Sequence, residues 1–177
     1  MPNFTQSNLL PPLALYVHIP WCVRKCPYCD FNSHQVRGEL PIDDYVKATV
    51  QDLTLDAHLA SGRQIESIFF GGGTPSLMPA AAIDTILEAA DTKIGLSQNC
   101  EITLEANPGT AEYHNFQGYR QAGVNRLSIG VQSFNADHLQ QLGRIHNPEE
   151  VDTAYALARK AGFDNINLDL MFALPEQ

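Results

Sequence analysis

Arg120–Gly130 (RQAGVNRLSIG) and Arg159–Asp169 (RKAGFDNINLD) follow one pattern, set 39 residues apart. Each begins as the end of a helical run and passes through Ala-Gly, where glycine suits a left-handed helix cap. Each then enters a run of alternating apolar and polar residues, as a strand does. This is one helix–strand unit used twice. ALYVHI (14–19), IESIFF (65–70) and EITLEA (101–106) read as further strands, beside RLSIGV (126–131) and INLDLM (166–171). Helical patterns lie between them. One starts near Ile42 and carries Ile42, Tyr45, Val46, Val50, Leu53, Ala57 and Ala60 on one face. A second, from about Pro79, turns Ile83, Ile86, Leu87, Ala90 and Ile94 inward. Others cover 111–122, 136–142 and 149–161. Strands alternating with helices predict an α/β domain with a parallel sheet.

The alternation within the strands separates two kinds of parallel sheet. A sheet covered by helices on both faces reads as nearly continuous apolar runs. Here Leu15, Val17 and Ile19 oppose Tyr16 and His18, and Ile102, Leu104 and Ala106 oppose Glu101, Thr103 and Glu105. Leu127, Ile129 and Val131 likewise oppose Arg126, Ser128 and Gly130, with Gln132 next on the polar side. Ile166, Leu168 and Leu170 oppose Asn167, Asp169 and Met171. Burying that polar face under helices would strand charged groups at high cost. A sheet curved round a polar lumen, an incomplete (β/α) barrel, satisfies both faces. Five strands are too few to close an eight-stranded barrel.

The chain has 177 residues, 44% of them hydrophobic, enough for one domain core. Its formal charge of −9 argues against a nucleic-acid partner, which calls for a basic footprint. No apolar run is long enough for a transmembrane helix, and MPNFTQSNLLPP lacks the pattern of a secretory signal. A cytoplasmic location is expected. Residues 1–13 read as a flexible leader and 14–177 as an incomplete core domain. LMFALPEQ stops just after a strand, so further barrel elements and a C-terminal region are expected beyond it.

Directly after the first strand comes HIPWCVRKCPYCDFNSH (18–34), with Cys22, Cys26 and Cys29 spaced C-x3-C-x2-C. Three close thiols suit a metal in a reducing compartment better than disulfides. Two chemistries fit. A tetrahedral zinc site would complete itself with His18 or His34. An iron–sulfur cluster on three cysteines would keep one iron open for a ligand. The cluster is the favoured reading, because ligand sites in such sheets lie beyond the carboxyl ends of the strands. Gly71, Gly72 and Gly73 end the second strand, where glycine lets backbone approach a ligand and present amides to it. Glu105 faces the lumen at the end of the third. Cys100 reads as a buried small hydrophobe rather than a fourth ligand.

The C-x3-C-x2-C loop after a first strand resembles the radical S-adenosylmethionine (SAM) superfamily. LYVHIPWCVRKCPYCDFNSH, GGGTPS (71–76), EANP (105–108), GVQSF (130–134), LGRIH (142–146) and DLMFALPEQ (169–177) are similar to the branch of oxygen-independent coproporphyrinogen III oxidases and heme chaperones. The resemblance implies a partial (β/α)6 barrel and a [4Fe-4S] cluster on Cys22, Cys26 and Cys29. It also implies SAM chelated at the open iron and cleaved to a 5′-deoxyadenosyl radical. For the cofactor it implies contacts from Gly71, Gly72 and Gly73 through backbone oxygens to the methionyl amino group, with Thr74 close by. Glu105 is implied at the methionyl part, Arg144 near the carboxylate, Gln132 in the lumen and Asp169 near the ribose. Tyr16 is implied facing the cofactor and Phe31 covering the cluster or adenine.

The oxidases carry a further cysteine two residues after the third, where this chain has Phe31. The resemblance therefore implies a heme chaperone, with heme as cargo, heme-acceptor proteins as partners and a reductant for the cluster. It leaves room for transient contact with membrane-bound acceptors. The alternative is a radical oxidoreductase acting on a porphyrinogen or another tetrapyrrole, such as coproporphyrinogen III. No heme ligand stands out among the six histidines.

Overall fold

The computed structural model describes residues 10–109, 115–175 and 177. Residues 1–9 of the expected leader and 111–114 of the expected third helix lie outside them, as does His114. The elements run β1 (Leu13–Ile19), β2 (Trp21–Cys22), β3 (His34–Gln35), α1 (Ile42–Asp56), β4 (Ile65–Gly72), α2 (Ala80–Lys93) and β5 (Leu96–Ala106). There follow α3 (Phe116–Gln121), β6 (Arg126–Gln132), α4 (Ala136–Gln141), α5 (Pro148–Lys160) and β7 (Asn165–Leu170).

Five strands form one parallel sheet in the order β1-β4-β5-β6-β7, so each strand–helix unit adds at the same edge. The register lines up an apolar row across it: Val17, Phe70, Leu104, Leu127 and Ile166 are successive partners. Its first four members are almost fully buried, against a helical layer in which α1 packs on α2, α2 on α3 and α3 on α5. Each fully buried Leu, Ile or Phe contributes roughly 1.5–3 kcal/mol, which is why this face carries the core. Glu105, Ser128 and Asn167 are successive partners on the opposite, polar face. The two-face reading of the strands therefore holds.

The helix ends follow the sequence. Asn147 and Glu150 form a reciprocal capping box at α5, with Pro148 in its first turn. Gly123 and Gly162 take φ of 109° and 91° directly after the capping Ala122 and Ala161, as the repeated Ala-Gly predicts.

Three boundaries differ from expectation. The helix from Ile42 turns into a 3-10 turn at Ala57–Ala60. β5 begins at Leu96, so Cys100 lies inside the strand and not ahead of it. LSQNC does not alternate cleanly, and the β4–β5 pairing is irregular between Ile65 and Ser67. The pair β2–β3 joins the two ends of the cysteine loop. At the front of the chain, Arg63 donates to the Pro11 carbonyl at 2.9 Å, and β1 starts at Leu13.

Candidate functional site

The carboxyl ends of β4, β5, β6 and β7 and the loop after β1 surround one cavity of about 390 Å³. Eleven of the thirteen residues singled out above line it: Cys22, Cys26, Cys29, Phe31, Gly72, Gly73, Thr74, Glu105, Gln132, Arg144 and Asp169. Gly71 and Tyr16 do not: Tyr16 lines a different cavity with His18 and Tyr45, and a Cβ on Gly71 would meet its ring at 3.0 Å.

The cysteine loop is held by protein contacts at several points. Ser33 and His34 amides donate to Phe31 and Pro20 carbonyls, Val36 to Cys22, and Cys29 to Cys26. Lys25 Nζ donates to the Phe31 and Ser33 carbonyls at 3.1 and 3.2 Å. His18 Nδ1 accepts from the Tyr16 hydroxyl at 3.0 Å while its Nε2–H donates to the Asn32 carbonyl at 2.7 Å. Both ring nitrogens are therefore engaged. His34 opens into a different, shallow cavity with Lys25 and Arg37. Neither histidine completes a zinc tetrahedron with the thiols.

All four cysteines are free thiols. Among the described residues, no group of three or more His, Cys, Asp or Glu side chains is drawn together as a single-ion site. Cys22, Cys26 and Cys29 instead open into the same cavity from one loop. That donor set fits a cluster, whose thiolates bind different irons and stand further apart than ligands of one ion. Cys100 is buried in the core with its sulfur towards the Glu101 carbonyl, as read from the sequence.

The glycine turn behaves differently from one expectation. Gly73 N–H donates to the Ile19 carbonyl at 2.6 Å and Thr74 N–H to Trp21 at 2.7 Å. The Gly72 amide hydrogen-bonds the Glu105 carboxylate. These amides are engaged within the protein. Glycine is required at 73 because the chain passes so close to the Trp21 backbone that a Cβ would lie 2.4 Å from its oxygen.

The cavity has an acidic side and a basic one. Burial raises the Glu105 pKa first, and the nearby Asp169 charge raises it further, against the opposing Gly72 hydrogen bond. Asp169 is fixed by Ser128 Oγ at 2.9 Å and Asn167 Nδ2 at 2.7 Å. Two neighbouring carboxylates, Glu105 half-buried and Asp169 exposed, make this side suited to an ammonium group. Opposite them, Arg144 Nη2 donates to the Asn107 side-chain oxygen at 2.5 Å and the Gly130 carbonyl at 2.7 Å. Its Nη1 reaches Cys26 Sγ at 3.6 Å. Its Nε is buried and makes no hydrogen bond among the described residues. Thiols, two carboxylates and an arginine thus share one cavity.

Gln132 ends β6 at φ 66°, a left-handed conformation costing a non-glycine residue roughly 1–2 kcal/mol. Its carbonyl accepts from Met171 N–H, and Val131 beside it accepts from Ser133 N–H and buried His146 Nε2–H. Such strain gathers at binding sites. The sequence reading missed Tyr28, Asn107 and Ser128 as cavity residues. Asn107 lies in the quoted EANP stretch and Ser128 on the polar face of β6, so their signals were present. Tyr28 had only its place between two cysteines.

The family model of the Radical SAM superfamily matches residues 16–177. The chain belongs to this superfamily. Its sheet is a partial radical SAM barrel, with parallel strands and a polar lumen face. The heme chaperone HemW of Escherichia coli (strain K12) is 55% identical over 168 residues, which are 95% of this chain and 44% of that protein. HemW of Haemophilus influenzae is 52% identical over 172 residues, 95% of this chain and 45% of that one. The chain thus spans less than half the length of these relatives. Among solved structures, the radical SAM enzyme coproporphyrinogen III oxidase (HemN) of Escherichia coli superposes with a TM-score of 0.83. It is 34% identical, over 94% of this chain and 38% of that one.

Proposed function

We propose that this chain is the cofactor-holding part of a heme chaperone, with a [4Fe-4S] cluster on Cys22, Cys26 and Cys29 and SAM in the adjoining cavity. The observation that carries this reading is that Cys22, Cys26 and Cys29 line one cavity with Glu105 and Asp169 from the sheet and Arg144 from the loop after α4. Glu105 and the carbonyls of the Gly71–Gly73 turn receive the methionyl ammonium group, and Arg144 receives the carboxylate. Asp169 takes the ribose, Gln132 contacts the cofactor from the end of β6, and Thr74 stands by the glycine turn. Tyr16 and Phe31 cover it from the open side, both being more than half exposed. When bound, the cluster supplies the electron that cleaves the sulfonium.

The choice of chaperone over oxidase rests on two observations. Identity to the heme chaperones runs from 55% down to 37%, against 34% to the oxidase. Phe31 also occupies the place of the oxidases' additional cysteine. The protein then carries heme to acceptor proteins, draws electrons from a reductant and works in the cytoplasm, touching membrane-bound acceptors transiently. No described helix is long and apolar enough to cross a membrane.

The test is a paired assay on the reconstituted full-length protein. Iron and sulfide analysis should give about four of each per chain, as a cubane cluster requires. Heme should bind and pass to an apo-acceptor, and coproporphyrinogen III should remain unchanged with reductant and SAM. Sustained decarboxylation of order 1 s⁻¹ would replace the chaperone reading with the oxidoreductase one. Stoichiometric zinc without sulfide would remove the cluster.

A further inference from the structure

The three thiols do not share one environment. Cys26 Sγ lies 3.6 Å from Arg144 Nη1, a charged donor, and no other charged side chain is recorded bonding Cys22 or Cys29 among the described residues. The guanidinium is not a wandering surface group. Its second nitrogen is held by the Asn107 side chain and the Gly130 carbonyl. Asn107 is itself oriented, since its Nδ2 donates to Thr74 Oγ1 at 3.2 Å. Arg144 therefore approaches Cys26 from the loop after α4 in a fixed position, supported from the ends of β5 and β6.

A cationic N–H aimed at a ligand sulfur stabilises the more negative, reduced state of an iron–sulfur cluster. We propose that Arg144, through its Nη1–H bond to Cys26, is a positioning and tuning residue that raises the reduction potential of the cluster. This rests on the cluster reading above and adds a role to Arg144 distinct from binding a carboxylate. Reduction is a one-electron gain by the cluster from an external reductant, with no bond formed or broken in the protein.

The test is anaerobic potentiometry, read by electron paramagnetic resonance, on reconstituted full-length protein without SAM, so that lost cofactor binding cannot mimic the effect. Arg144→Gln, Arg144→Lys and Asn107→Ala are compared with wild type. Arg144→Gln removes both charge and donor direction and should cut the reduced-to-oxidised ratio about tenfold at fixed potential, equivalent to about 59 mV for one electron. Arg144→Lys keeps the charge and should fall between. Asn107→Ala loosens the guanidinium and should shift the ratio in the same direction, less far. Absence of iron and sulfide from wild type would refute the cluster reading itself. A full cluster in the variants with the ratio unchanged would overturn the tuning role alone. Loss of the cluster from all three variants, with wild type loaded, would also overturn it, by making Arg144 a structural prop.

Discussion

Gly73→Ala tests how the cysteine loop is joined to the sheet. The backbone of Gly73 is not in the left-handed region, so alanine fits its φ and the whole penalty is steric. The new Cβ would lie 2.4 Å from the Trp21 oxygen, 2.7 Å from its carbonyl carbon and 3.0 Å from its nitrogen. All three are backbone atoms, so no rotamer relieves the clash. Reaching an ordinary separation of 3.4 Å moves Trp21 by about 1 Å. Trp21 resists, being paired with His34 in the β2–β3 ladder and packed edge-on against Tyr45 at 5.0 Å. If it stays, the overpacking costs roughly 1–3 kcal/mol. If it moves, the bonds from Gly73 N–H to Ile19 and Thr74 N–H to Trp21 stretch, at about 1 kcal/mol each. Either way about 1–3 kcal/mol is lost, a large share of the ~5–15 kcal/mol that holds a domain together. Guanidinium denaturation of the full-length protein should show this loss, and iron per chain should fall with it, since β2 contains Cys22. Gly109→Ala is the control: no atom lies within 4 Å of its Cβ position, and the change should stay within about 0.5 kcal/mol. Gly73→Ala with wild-type stability and full iron content would refute the close-approach argument.

Further outcomes follow from the same geometry. Glu105 has a raised pKa in the folded chain, so folding favours its protonated form, and that contribution fades as pH rises from the ordinary carboxylate value of about 4.3 through the raised one. Glu105→Gln should therefore stabilise the protein at pH 7 while leaving it nearly unchanged at pH 4; equal denaturation midpoint shifts at both pH values would contradict the electrostatic cause. The same variant should weaken SAM binding by calorimetry, because it removes a negative charge from the acidic side. Tyr119 is fully buried, with its hydroxyl 2.7 Å from both the Ser76 and Met78 carbonyls, so Tyr119→Phe should cost about 1–2 kcal/mol in a denaturation series. Cys100→Ala should retain iron and sulfide at wild-type levels, whereas Cys26→Ala should lose most of both.

The sheet was legible because its signal is local and repeated. Period-two alternation on five strands places Val17, Phe70, Leu104, Leu127 and Ile166 on one face, and pairing then joins them into a row. The same alternation put Glu105 and Asp169 towards one lumen, and the structure brings both to the cavity. What escaped is short or non-local. β2 and β3 have two residues each, too few to show a period. The direction of the Gly73 and Thr74 amides depends on carbonyls more than fifty residues earlier in the chain, which no turn motif displays.

Arg144 shows the limit most clearly. In sequence it is a loop arginine with a plain surface alternative. Its partners lie 14, 37 and 118 residues away, at Gly130, Asn107 and Cys26. Each is placed by a different unit of the barrel: β6, the turn after β5, and the loop after β1. A chain with only the local motifs would carry the thiols and the carboxylates but would not fix their mutual position. Three strand ends must converge before one guanidinium can touch all three partners, so its network depends on the register of the sheet. That dependence also explains why left-handed Gln132 is tolerated. The turn it makes carries the chain off β6, and Val131 and Gln132 still accept three hydrogen bonds from Ser133, His146 and Met171. The local cost of about 1–2 kcal/mol is thereby offset by contacts that hold the strand end beside Arg144. Fold and site are thus coupled through backbone ends, where a sequence pattern carries the least information and the tertiary structure the most.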